Sequence, residues 1–188
     1  MTNDPTEKVM NAEAWNEFCD LLKKAGDVIL RDELETSAFD RGEGMRYLGR
    51  LLRAGLISFS ENTGPEHPYF RAMPDLVKMG LDNPDNYYVS AGVNPRLRYR
   101  IRGNRGSIHY MSFAAQNQNF AAKDKITGGA GHLNDAELEM DADGNFEIIA
   151  SLKEEPGNWL RMTPQTKQIL LRQTFLHRDR ETPVKVEI

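Results

Sequence analysis

Hydrophobic positions change their period once along this chain. From residue 11 to about 61 they recur every three or four residues, as on one face of a helix. Trp15, Phe18, Cys19 and Leu22 form such a stripe, with Asn11 suited to cap its start and Gly26 predicting a stop or bend. A second helix is predicted to begin near Ser37 and Asp40, with Met45, Leu48, Leu52 and Leu56 on one stripe and Arg46, Arg50 and Arg53 on another. Glu43 lies three residues before Arg46, so that basic stripe reads first as a solvated face with local ion pairing.

Beyond Tyr87 the period becomes two. Short alternating runs predict strands over 87–93, 96–102, 107–114, 133–141, 145–153, 168–177 and 184–188. Turn chemistry separates them at Asn94-Pro95, at Gly103-Asn104-Arg105-Gly106 and at Asp141-Ala142-Asp143-Gly144. Between the two zones, Pro65, Pro68, Pro74 and Pro84 resist regular structure, and 82–86 is a strong turn signal. The stretch 116–131, rich in Gln, Asn and Gly, is expected to be a loop over a binding mouth. The expected architecture is α+β: a helical region (1–63), a Pro-rich connector (64–86) and an antiparallel β-sandwich of jelly-roll type (87–188).

The second predicted strand carries arginines at every other position, Arg96, Arg98, Arg100 and Arg102, opposite Leu97, Tyr99 and Ile101. Guanidinium forks on one face suit carboxylates or phosphates, supplied either by a ligand or by the protein itself. Glu137, Glu139 and Asp141 also alternate and are the expected internal partners, above all for Arg96 and Arg98. Arg100, Arg102 and Arg105, beside the backbone of Gly103 and Gly106, are the candidate anion contacts. Trp159, next to Asn158, offers an aromatic wall, with a sheet-capping role as its simpler reading. Arg172, among Leu170, Leu171 and Phe175, is a further anion candidate or a structural partner of Asp179 or Glu181.

For proton transfer the candidates are His177, Asp179 and His132. His177, Asp179 and Glu181 would share a face if extended, but interleaved arginines and Pro183 favour a charged turn over a metal cage. His109, in phase with Met111 and Phe113, reads as a hydrogen-bonded core residue. His132 follows a flexible Gly-rich stretch, and its default role is in turn geometry. Cys19 lies on an apolar stripe and reads as a small buried hydrophobe.

Composition narrows these options. At 188 residues the chain suits one domain with a helical appendage, and a net charge of −4 opposes general nucleic-acid binding. One cysteine excludes an internal disulfide and a multi-cysteine metal site, and no apolar run reaches membrane-spanning length. No leader-like start is present, so a cytoplasmic protein is expected. Nucleophile-elbow, zinc-helix, phosphate-loop and dinucleotide signatures are absent. No cofactor and no metal are expected.

The segments D-N-P-D-N-Y-Y (82–88), Y-R-I-R-G-N-R-G (99–106), G-N-W-L (157–160), L-R-Q-T-F-x-x-x-D-x-E-x-P (171–183) and R-G-E-G-M-R-Y-L-x-R-L-L (41–52) resemble the bacterial family carrying the domain of unknown function 1214. The resemblance runs from about residue 12 to 188. It implies a jelly-roll-like sandwich and no assigned reaction. Similar chains often continue beyond the position of Ile188, which leaves open a shortened member or a fragment. The leading expectation is binding of a small anionic organic molecule, without nucleic acid or membrane partners. The alternatives are an acid–base lyase, isomerase or hydrolase, and an interaction or assembly subunit; homo-oligomerisation stays open.

Overall fold

The structure, a computed structural model, describes residues 4–31, 37–57, 64–72, 77, 83–117 and 131–188. The chain divides into two compact units, 1–55 and 56–188.

In the first unit, α1 (Pro5–Met10) is started by Asp4, whose carboxylate accepts the Thr6 amide at 2.8 Å. The side chain of Asn11 accepts the Glu13 amide at 2.9 Å and opens α2 (Glu13–Asp27), which ends one residue after Gly26. Ser37 and Asp40 exchange capping bonds that open α3 (Ala38–Leu56), a reciprocal box that satisfies orphan amides at both positions. The expected helical residues beyond 57 fall outside the described residues. α1 packs on α2, tied by Lys8 to Glu17, whereas among the described residues α3 packs on neither. Ile29, just past α2, sits where a side chain on Gly44 would collide with it.

The second unit is two sheets sharing one hydrophobic core. Strands β1 (Arg71–Ala72), β2 (Asn86–Gly92), β3 (Tyr99–Asn104), β4 (Tyr110–Gln116), β5 (His132–Asn134), β6 (Asn145–Ser151), β7 (Trp159–Arg161), β8 (Gln168–Thr174) and β9 (Lys185–Glu187) form a five-stranded sheet, β1-β2-β8-β4-β5, and a four-stranded sheet, β7-β6-β3-β9. All pairings are antiparallel except β6 with β7. Alternation places Val89, Phe113, Ile169 and Leu171 of one sheet against Ile101, Phe146, Ile148 and Leu160 of the other. The rings of Phe113 and Phe146 meet edge to face, 5.6 Å apart, across the two sheets. A helical N-terminal part and two antiparallel-rich sheets are therefore established.

Several expected strands differ in extent. Of the run 133–141 only Leu133 and Asn134 lie in a strand, because Asn134 accepts the Ala136 amide and Glu137 accepts the Asn134 amide, turning the chain over 135–137. Arg96 belongs to a turn closed by Leu97 donating to the Asn94 carbonyl, and β3 begins at Tyr99. The Pro-rich connector supplies a short edge strand, β1. β7, read in the sequence as an aromatic plate, completes the four-stranded sheet. Most of the expected loop 116–131 lies outside the described residues.

Candidate functional site

The outer face of the four-stranded sheet carries the arginines. Tyr99 and Ile101 point into the core, so Arg100 and Arg102 project outward, as alternation requires. Their partner is neither Glu137 nor Glu139 nor Asp141, since that segment does not pair with β3. β6 lies beside β3 instead, with Glu147 in register with Arg102. Arg102 Nε donates to Glu147 Oε2 at 2.8 Å, and Arg100 Nε stands 3.6 Å from Oε1 of the same carboxylate. Arg98 pairs with Glu155 at 2.9 Å. The Arg102 hydrogen bond, with Arg100 and Arg98 nearby, holds the Glu147 carboxyl below the usual range, and Arg98 does the same for Glu155. Arg105 leaves this face to bond Asp135 at 2.8 Å and the His109 carbonyl.

Beside Arg102 lies a shallow depression of about 430 Å³, lined by Arg102, Gly103, Glu139, Asp141, Asn145, Phe146 and Glu147. Three carboxylates face one guanidinium there, so its charge opposes an anion. Asp141 is occupied by the turn it caps: its oxygens accept the Asp143 and Asn145 amides and the Asn145 side chain, which keep its carboxyl below the ordinary value. Arg98, Arg100 and Arg102 thus find carboxylates within the protein, the last two sharing Glu147.

Trp159 lies on the same outer face, in register with Ile149, which is itself in register with Arg100. Its indole donates to Ser151 Oγ at 3.0 Å. Asn158 spends its amide on the backbone of Glu139 and Glu147, so this motif clamps a loop onto β6. Arg172 is on the outer face of the other sheet, exposed, with its guanidinium 5.5 Å from the centre of the Tyr88 ring. It pairs with neither Asp179 nor Glu181. Arg172 therefore does not converge with Arg100, Arg102, Arg105 or Trp159.

The proton-transfer candidates are also apart. Residues 177–181 form a turn, with Arg180 and Glu181 donating to the His177 carbonyl, and Glu181 accepting the Leu176 and His177 amides. His177 and Asp179 are both exposed there, the latter 3.5 Å from Arg180. His132 opens β5, exposed and distant in register from that turn. Among the described residues no group of three or more His, Cys, Asp or Glu is placed to hold a metal ion. His109 is exposed rather than buried, because a bend at 108–109 sends Ile108 into the core in its place.

The helical unit has a different character. Among its described residues α1 and α2 bury none, and α3 buries only Ala54. Trp15 is 65% exposed, Leu21 63% and Phe39 75%. Cys19, expected to be buried, is partly exposed on the same helix. Trp15 and Phe18 lie with ring centres 5.7 Å apart. No described helix is long and apolar enough to cross a membrane.

No family model matches the chain, and neither does any curated protein. Among solved structures it is similar to an uncharacterized protein from Burkholderia cenocepacia, at 38% identity and a TM-score of 0.88, over 96% of this chain and 50% of that one. It also aligns with the VPA0106 protein from Vibrio parahaemolyticus at 13% identity and a TM-score of 0.37, over 100% of this chain and 46% of that one. The chain spans about half the length of these solved proteins.

Proposed function

We propose that this protein is an assembly subunit whose N-terminal helices dock another folded polypeptide. One observation carries the reading: the helical unit leaves Trp15, Leu21 and Phe39 in water while burying a single described residue, Ala54. Each such side chain forgoes about 1.5–3 kcal/mol that full burial would supply. Three exposed large apolar side chains on two helices that bury almost nothing favour a protein interface as the use of this unit. The sandwich then acts as the rigid carrier. We read that carrier as a jelly roll, since β8 inserts between β2 and β4, and the chain as a cytoplasmic member of the domain-of-unknown-function-1214 family on the motifs given above.

The test is a pair of melts of the full chain, parent against Leu21→Ser/Phe39→Ser, at a concentration where both are monomeric. Docking residues cost the isolated protein little, so the melting curve is expected to stay in place. A loss of more than about 2 kcal/mol would mark both as intramolecular packing and end the reading.

A second reading is supported by Arg172 alone. It is exposed and without an ion pair among the described residues, so a small organic anion has one guanidinium available on the outer face of the five-stranded sheet.

A further inference from the structure

Helical spacing sorts the charges of the first unit into two ridges. On α2, Glu13, Glu17, Asp20 and Asp27 follow one another at intervals of four, three and seven residues, so they share a face with Lys24. On α3, Arg46, Arg50 and Arg53 share a face with Phe39 by the same spacing. α2 carries these four carboxylates against Lys23 and Lys24; α3 carries four arginines, Arg41 included, against Asp40 and Glu43. Some local pairing exists, with Lys8 on Glu17, Lys23 on Asp20 and Arg46 on Glu43. Yet α2 and α3 do not pack on each other within the described chain.

Resting on the docking reading above, we propose that the occupant of this surface is a second copy of the same chain, with the acidic ridge of α2 in one copy against the basic ridge of α3 in the other. A two-fold axis uses each helix once and satisfies both ridges twice, which is how an isologous interface closes. The charges set the orientation. The affinity comes from apolar groups beside them: Phe39 within the basic ridge, and Leu21, one turn beyond Glu17, at the edge of the acidic one. Both side chains are among the most exposed large hydrophobics of the chain, and a partner copy removes both from water.

Sedimentation of the full chain over a concentration series decides the matter. A monomer–dimer equilibrium is expected, weakened on the order of tenfold when salt is raised enough to shorten the screening length. Arg50→Glu/Arg53→Glu and Asp20→Lys/Asp27→Lys should each lose self-association by at least about tenfold, and an equimolar mixture of the two should recover it. A chain that stays monomeric at its highest soluble concentration overturns the second-copy inference, as does an unchanged dimer constant in both variants. The docking reading is judged separately by the melt of Leu21→Ser/Phe39→Ser, taken at a concentration where sedimentation finds parent and variant both monomeric, so that lost self-association does not shift the curve. A monomer with an unshifted melt removes only the second copy as partner; a destabilised variant removes the docking surface itself.

Discussion

Gln173 offers the sharpest test of how the two sheets are joined. It lies on β8, in the middle of the five-stranded sheet, 1% exposed and pointing into the core. Its side-chain oxygen accepts the Val184 amide at 2.7 Å, in the segment that leads to β9 on the edge of the other sheet. Gln173→Leu keeps the approximate volume and removes the acceptor. The orphaned Val184 amide costs about 1–3 kcal/mol, partly offset by the extra apolar contact, so the net loss is about 1–2 kcal/mol. For a chain of this size that lowers the melting temperature by about 3–6 °C. Circular dichroism melts and urea midpoints measure the global loss, and hydrogen exchange at the Val184 amide measures the local one. An unchanged or higher melting temperature, or exchange at Val184 no faster than in the parent, would refute the assignment of Gln173 as the tie.

Two further outcomes concern charge. Glu147, Glu155 and Asp141 have carboxyls held below their ordinary range by hydrogen bonds in the fold, so their contribution is complete above the unfolded value of about 4 and is lost as pH falls through the lowered folded values. Melts from pH 6 down to pH 2 should decline over that acidic window and decline less in Glu147→Gln; identical slopes would remove the pairing as a cause. Glu147→Gln also releases Arg100 and Arg102, so thermal stabilisation by citrate should rise above the parent's. Any citrate response in the parent should vanish in Arg172→Gln. Equal responses in all three proteins would show that neither cationic site binds it.

The alternation of apolar residues was enough to place most long strands and their inward faces: Val89 and Ala91, Tyr99 and Ile101, Phe146 and Ile148, Ile169 and Leu171 all point where a period of two puts them. The start of α3 was equally legible, because the Ser37–Asp40 pair is a local device; Asn11 stands one residue before the Ala12 cap of α2, and α1 with its Asp4 cap went unread. What failed was pairing between distant segments. Glu137, Glu139 and Asp141 alternate as well as any strand, but the side chains of Asn134 and Glu137 accept the amides of Ala136 and Asn134 and divert the chain into a turn. Nothing local to Glu147 distinguishes it as the partner of Arg100 and Arg102; that role depends on β6 lying beside β3. A three-residue strand such as β7 is too short to display a period at all. For the candidate site, residue types were visible but convergence was not, since Arg102 and Arg172 stand on opposite outer faces.

The place of β8 has a consequence for how the chain becomes a protein. The strand made after β2 through β7 is the one that stands between β2 and β4, so these two have no contact in the sheet until residues 168–174 exist. Thr174 reaches back 88 positions to bond Asn86. A nascent chain halted before Gln168 holds two strands, each with an unpaired edge and an apolar face, and no way to join them. Completion of the five-stranded sheet is therefore a long-range event, closed by the last of its strands to be made.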